Sequence, residues 1–382
     1  MDQYPNQVVP AELGNFNSSG VLTPFAGSDC EPRFFEINSP HASQLPPPLF
    51  WLGEGPKFSD RVRMHAIGCW AFREMYVGGK GLLFDRAGIA WTHRSIGVTM
   101  KALTDRRMWS AASLDPTGQV RLPGGLKVVE VDEPVACLVQ PGDTVYGHWL
   151  VDLLPRLDFL RQALEGQRIR IVMSEGSVSP RVLPEVEGLL ACAGVESGDI
   201  LRFSPQDSVL LCRHLLVPTY SRSGNHLSPA AARAFDRACA VAKINSDGRA
   251  CRKVFWSRAG WVNAKRSLVN RSEVESIARS HGFRVVRPET MGLWEKAALL
   301  AETETLFGER GSALHLSLFA PRGARVGVLL SERTPGMIFA QSGIGAVLNQ
   351  PTGYAFGGCA DSPDEDTFHV DETELDELLE SL

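Results

Sequence analysis

Thr305–Leu330 reads TLFGERGSALHLSLFAPRGARVGVLL. A short apolar run ends at Gly308, the triplet Glu309-Arg310-Gly311 makes a tight loop, a short helix opens near Ser312, and Pro321 stops it before a second apolar run, ARVGVLL. This strand–helix–strand unit repeats outward. KVFWSR reads as a strand and NRSEVESIARSHG as a helix with a capping box from Asn270 to Glu273 and a terminal Gly282. FRVVRPE is again a strand and MGLWEKAALLAET a helix. Alternating strands and helices build a parallel sheet covered by helices, so the second half is expected to be α/β.

The first half is less regular. Residues 1–50 are rich in Pro, Ser, Asn and Gly and read as an extended arm. From about Val62 to Val139 short apolar runs alternate with turns, among them Pro123-Gly124-Gly125 between two strand candidates, which suggests a sheet with hairpins. RIRIVMS is a strand, Pro180–Cys192 a helix and His214–Tyr220 a strand. Ser228 caps an Ala-rich helix with Pro229 at its first position, and the domain boundary is expected nearby. The expected organisation is therefore an arm over 1–50, one α/β domain over 51–225 and a second over 226–382. The second ends in a helix with an apolar edge of Leu375, Leu378, Leu379 and Leu382.

Within the first half, YGHWLVDLLPRL (146–157) has the leucine spacing of a helix. His148, Asp152 and Arg156 recur every four residues and so share a face, expected to lie opposite the leucines as a solvated surface or the wall of a cleft. Pro155 sits inside the pattern and predicts a kink or break.

Bulk properties bound the function. The chain has 382 residues, 44% hydrophobic and 22% charged, with a net charge of −5. These values fit a soluble chain of about two domains and argue against a broad electrostatic hold on nucleic acid. The eight cysteines are scattered without a Cys-x-x-Cys, which suits a reducing compartment rather than a zinc site or disulfide framework. No signal peptide and no membrane span is expected, so the chain is placed in the cytoplasm, free or peripheral to the inner membrane.

Three places could carry chemistry. The loop at Gly308–Ser312 lies where open α/β sheets bind ligands, its helix N-terminus offers amides to an anion, and Arg310 can grip a phosphate. Its bland alternative is an ordinary turn with Arg310 paired to Glu309. His315, one turn on, is a donor-side candidate that by itself reads as a satisfied, half-buried histidine. WSRAGWVNAKR puts Arg258, Lys265 and Arg266 near a strand end, either a diphosphate site or a solvated basic loop. Glu289, after another strand, could accept ribose hydroxyls or cap the next helix. His148 polarised by Asp152 would make a general base; the alternative is an exposed row of polar pairs.

GHWLVDLLPRL and GERGSALHLSLFAP, with the ordered stretch Ser257–Pro321 between strands and helices, resemble glycosyltransferase family 61 over roughly Thr144 to Leu330. The resemblance implies a GT-B-like α/β fold of two Rossmann-like domains facing an interdomain cleft. It implies inverting transfer from a nucleotide-diphosphate sugar, a UDP-sugar first, to a glycan or other hydroxyl acceptor, with no cofactor and no catalytic metal. Bacterial capsular-polysaccharide proteins are among its members, which suggests surface polysaccharide synthesis. His148 and Asp152 would then serve the acceptor side, and Arg258, Arg266, Glu289, Arg310, Gly311, Ser312 and His315 the donor. Arg310, Leu316 and Lys296 stand where many members have His, Asn and Gln. Those departures motivate the alternative of an inactive nucleotide-sugar-binding or scaffold protein.

Overall fold

The structure is a computed structural model that describes residues 32–91, 93–96, 113–114, 120–122, 126–140, 142–165, 167–176, 183–245, 251–260, 267–334, 338–359 and 367–382. Most of the expected 1–50 arm, the Pro123–Gly125 turn, Pro180, Lys265 and Arg266 lie outside these residues. The chain divides into two compact units, the described residues of Met1–His41 with His65–Ser221, and Ala42–Met64 with Arg222–Leu382.

The first unit is built on β1 (Arg33–Asn38), β2 (Ile67–Gly78), β3 (Val135–Cys137), α1 (Leu154–Ala163), β4 (Arg170–Ser174), α2 (Leu183–Cys192), β5 (Ile200–Phe203) and β6 (Ser208–Pro218). Its eight-stranded sheet runs β1-β2-β6-β3-β4-β5, with Leu82–Phe84 beside β2 and Lys127–Val131 beside β6. The strands β6, β3, β4 and β5 are parallel; β1 and β2 join antiparallel. The chain steps from β3 to β4 to β5 in one direction and then returns to the other side of β3 as β6. The carboxyl ends of β3 and β6 therefore flank the topological switch point, where open α/β sheets hold their ligands.

The second unit contains α3 (Ala232–Asn245), β7 (Lys253–Trp256), α4 (Arg271–Ser280), β8 (Arg284–Val286), α5 (Leu293–Leu300), β9 (Thr305–Glu309), β10 (Arg325–Ser331), α6 (Ala340–Leu348), β11 (Thr352–Cys359), β12 (Thr367–His369) and α7 (Glu372–Ser381). The sheet order is β12-β11-β10-β9-β7-β8, with Ser267–Leu268 beside β12 and Trp51–Leu52 beside β11. From β11 to β8 the strands are parallel, and the switch point falls between β7 and β9. Phe307 of β9 is fully buried against Phe50, Phe255 and Phe283, with ring centroids 5.9, 6.3 and 6.4 Å away. Phe50 explains why 42–64 belongs to this unit. Its ring stacks on Phe307, and its carbonyl accepts the Tyr354 amide while Trp51–Leu52 adds a parallel strand.

The mixed α/β class and the strand–helix order of the second half follow the sequence pattern, and several local expectations are corrected. The short helix expected near Ser312 forms as a 3₁₀ helix over Ser312–Phe319. Asn270 makes no cap bond; its side chain donates to Val370 O (2.8 Å) and Glu372 Oε1 (3.1 Å), because the approach of β12 offers it buried partners that the helix end does not. Val120–Arg121 pairs with Ser113–Leu114, and Lys127–Val131 pairs in parallel with β6, so the runs flanking Pro123–Gly125 do not form a hairpin together. The C-terminal α7 is capped by Asp371 and buries Leu375 and Leu379.

Among the described residues no helix is long and apolar enough to cross a membrane. A Cβ on Gly327 of β10 would sit 1.9 Å from Phe307 Cδ2. Gly327→Ala is therefore expected to lower unfolding free energy in urea by about 1–3 kcal/mol through overpacking of the aromatic stack.

Candidate functional site

In the first unit, the helix after β3 begins with one turn at Tyr146–His148, widens into a π-turn over Trp149–Leu153 and continues as α1. The break expected at Pro155 takes this form. A proline has no amide hydrogen and its ring collides with the carbonyl four residues back, here Val151. The π-turn relieves the collision, and the Leu154 amide reaches five residues back to Trp149 O. Of the two readings of the polar row, the solvated surface is overturned: Asp152 and Arg156 are 0% and 1% exposed. The helix is buried nearly all round, its polar row included.

The His148–Asp152 pair forms as expected, with Nδ1 donating to Asp152 Oδ2 at 2.5 Å and the histidine side chain 29% exposed. That bond leaves Nε2 as the acceptor nitrogen, the tautomer a general base needs. Gly142, at φ +91°, packs on the ring; a Cβ there would lie 2.9 Å from Nε2. The next residue, Asp143, escaped the sequence reading. Its carboxylate accepts from Ser174 Oγ (3.0 Å) at the end of β4, and its carbonyl accepts from Trp149 Nε1 (2.8 Å). Burial pushes its carboxyl up to about 6, against the lowering effects of Ser174, Lys80 and His148. The signal for it was its place, in the loop that follows a parallel strand.

Arg156 fills the first unit's switch point. Its guanidinium donates to Pro218 O at the end of β6 (3.1 Å), Cys137 O at the end of β3 (3.2 Å) and Gln140 Oε1 (2.7 Å). It also stacks 5.1 Å over the Tyr220 ring. A buried cation is tolerated because carbonyl oxygens and a π face replace its water. The unit thus spends its own side chain where comparable sheets hold a ligand.

The second unit's switch point is different. Gly308 lets β9 approach β7, since a Cβ would lie 2.5 Å from Trp256 O. Glu309 does not pair with Arg310. It is 4% exposed and forms a bidentate pair with Arg271 (both contacts 2.9 Å) while accepting the Arg258 amide at 3.0 Å. Arg258 Nη1 in turn donates to Arg310 O at 3.0 Å. Gly311 has an extended φ of 167°, so its need for glycine is space: a Cβ would lie 2.4 Å from Arg258 Nη1. Arg258, Arg310, Gly311 and the Ser312 amide that opens the 3₁₀ helix are therefore brought together. Sequence reading missed the Glu309–Arg271 brace beneath them, because Glu309 had a nearer candidate in Arg310.

Glu289 follows β8 and lies against the loop after β7, with Oε1 2.1 Å from where a Gly260 Cβ would be. That oxygen is buried without a hydrogen-bond partner among the described residues. It does not cap α5; there the Gly292 amide donates to Glu295 Oε2 at 2.8 Å. His315 Nδ1 lies 3.2 Å from Gln341 Oε1, and Gln341 reaches Ser317 Oγ at 2.7 Å, so His315 ties the 3₁₀ helix to α6. Arg266 is outside the described residues. Among the described residues no cluster of three or more His, Cys, Asp or Glu is arranged to hold a metal ion.

Asp143 carries a pH signature. Its carboxyl titrates higher in the folded chain than the usual carboxylate, so the fold binds the extra proton between about pH 4 and 6 and loses stability as pH rises through that window. Asp143→Asn is expected to raise unfolding free energy at pH 7 by an amount on the order of 2 kcal/mol, with the gain vanishing below about pH 4. Urea titrations of both proteins across that range check it.

A comparison with curated proteins finds no match. Residues 146–327, from the start of the π-turn helix to β10, match the family model described as Glycosyltransferase 61.

Proposed function

We propose that the chain is an inverting glycosyltransferase that moves a sugar from a UDP-sugar or related nucleotide-diphosphate sugar to a hydroxyl of a glycan, in surface or capsular polysaccharide synthesis. The observation that carries this reading is the contrast between the two switch points. The first is filled by Arg156; the second presents Arg258, Arg310, Gly311 and Ser312, a set suited to a diphosphate. Glu289 suits the ribose hydroxyls, because its buried oxygen lacks a donor.

In this mechanism the acceptor oxygen attacks the anomeric carbon from the face opposite the diphosphate. The bond from that carbon to the phosphate oxygen breaks, and the diphosphate leaves with the bonding pair. His148 Nε2 takes the acceptor proton while Asp152 stabilises the imidazolium through Nδ1. The arginines and the Gly311–Ser312 amides stabilise charge on the leaving group, the role a catalytic metal would otherwise fill. The mechanism requires both residue sets to meet one substrate, as in the GT-B-like arrangement, and a cytoplasmic supply of donor.

Purified protein tested against nucleotide-diphosphate sugars is expected to release nucleoside diphosphate and form product of inverted anomeric configuration. His148→Ala and Asp152→Ala should each lower kcat by roughly 100-fold or more. Full activity in both variants sinks the base assignment. Thermal stabilisation by a nucleoside diphosphate with no turnover of any donor would favour the binding-protein alternative.

A further inference from the structure

The Pro155 break removes the ordinary helical donor of a carbonyl next to the His148–Asp152 pair. In an unbroken α-helix Val151 O would accept from the amide of residue 155, which proline lacks. The carbonyl instead accepts from Ser221 Oγ at 2.8 Å, and Ser221 is 0% exposed. Val151 lies between His148 and Asp152, inside the π-turn that sets their register.

We propose that Ser221 is a positioning residue for the His148–Asp152 base, its hydroxyl replacing the hydrogen-bond donor that Pro155 removes; as a role in catalysis this rests on the function proposed above. Ser221 is suited to that work because the chain on its N-terminal side is clamped. The Thr219 amide donates to Gly68 O (2.9 Å), and the Gly68 amide donates to Thr219 Oγ1 (3.0 Å). The Tyr220 amide donates to Ser95 O (2.6 Å), His65 Nε2 donates to Tyr220 O (2.9 Å), and the Tyr220 ring lies under Arg156. A hydroxyl held this firmly fixes the carbonyl it binds.

Without the hydroxyl, Val151 O loses a buried donor, a loss that costs enough to be relieved by movement. The soft response is a shift of the π-turn, since its wide hydrogen bonds are already one residue out of α register. Asp152 follows Val151 directly, so the shift lengthens its short bond to His148. A misplacement of about 1 Å at a catalytic group can lower a rate on the order of 100-fold.

The test is a cycle between Ser221→Ala and Pro155→Ala, because alanine at 155 restores an amide donor for the same carbonyl. S221A is expected to lower kcat by roughly 10- to 100-fold with KM for the donor nearly unchanged. The S221A/P155A protein should recover most of kcat. A purely structural role would lower the melting temperature and leave the His148–Asp152 hydrogen bond intact, and would overturn the proposal, as would a double variant no better than S221A.

One readout needs no turnover. The downfield NMR resonance of the His148 Nδ1 proton should weaken or vanish in S221A and return in the double variant. An inert wild-type protein in which this signal responds as stated removes the proposed activity but keeps the positioning role. An active protein whose signal and kcat ignore Ser221 does the reverse. If S221A does not fold, a folded S221A/P155A protein with the signal supports the proposal, and one without it overturns it.

Discussion

Pro155 lacks an amide hydrogen, and much of the first unit is arranged around that lack. The proline forbids a regular helix through Val151, and the chain answers with a π-turn rather than a simple kink. Within that turn Asp152 is drawn fully inside while His148 keeps an exposed edge. One turn later Arg156 is carried into the gap between β3 and β6, where backbone oxygens and Gln140 hold it. A single covalent constraint thereby places an imidazole–carboxylate pair and a buried cation on successive turns.

The two units share a design and use it differently. Both are sheets with a parallel core and a reversal of strand order, and both place a cation at the reversal. In the first the cation is buried and held by backbone and side-chain oxygens and a ring. In the second the cations are half-buried and braced from below: Glu309 neutralises Arg271, orients the Arg258 loop through its amide, and lets Gly308 and Gly311 bring the strand end close. Breaking such a buried pair by removing one partner is costly, so Glu309 holds shape as well as charge.

Much of this was legible in the sequence, and the failures have physical causes. The alternation of short apolar runs with helical periods marked the second half as α/β, and glycines beside Arg310 marked the loop. The face of the opening helix was misjudged because a fixed 100° per residue does not survive a π-turn, and because leucines on one side do not reveal that carbonyls and Gln140 wait on the other. Asn270 carried a capping signal that a distant strand overrode through Val370. Glu309, Asp143, Gln140 and Ser221 act through partners far away in sequence, and local spacing holds no record of such partners. Phe50 and Trp51, read as the end of an arm and the start of a domain, gain their place from Phe307 and β11, more than two hundred residues away.

The central claim is that a donor diphosphate is held at the switch point between β7 and β9 and not at the one between β3 and β6. A crystal structure with a bound nucleoside diphosphate tests it most directly. Phosphate oxygens within about 3.2 Å of Arg258, Arg310 or the Gly311 and Ser312 amides, with Arg156 still seated on Pro218 and Cys137, are the expected result. Phosphates lodged at the carboxyl ends of β3 and β6, with Arg156 displaced, would contradict it.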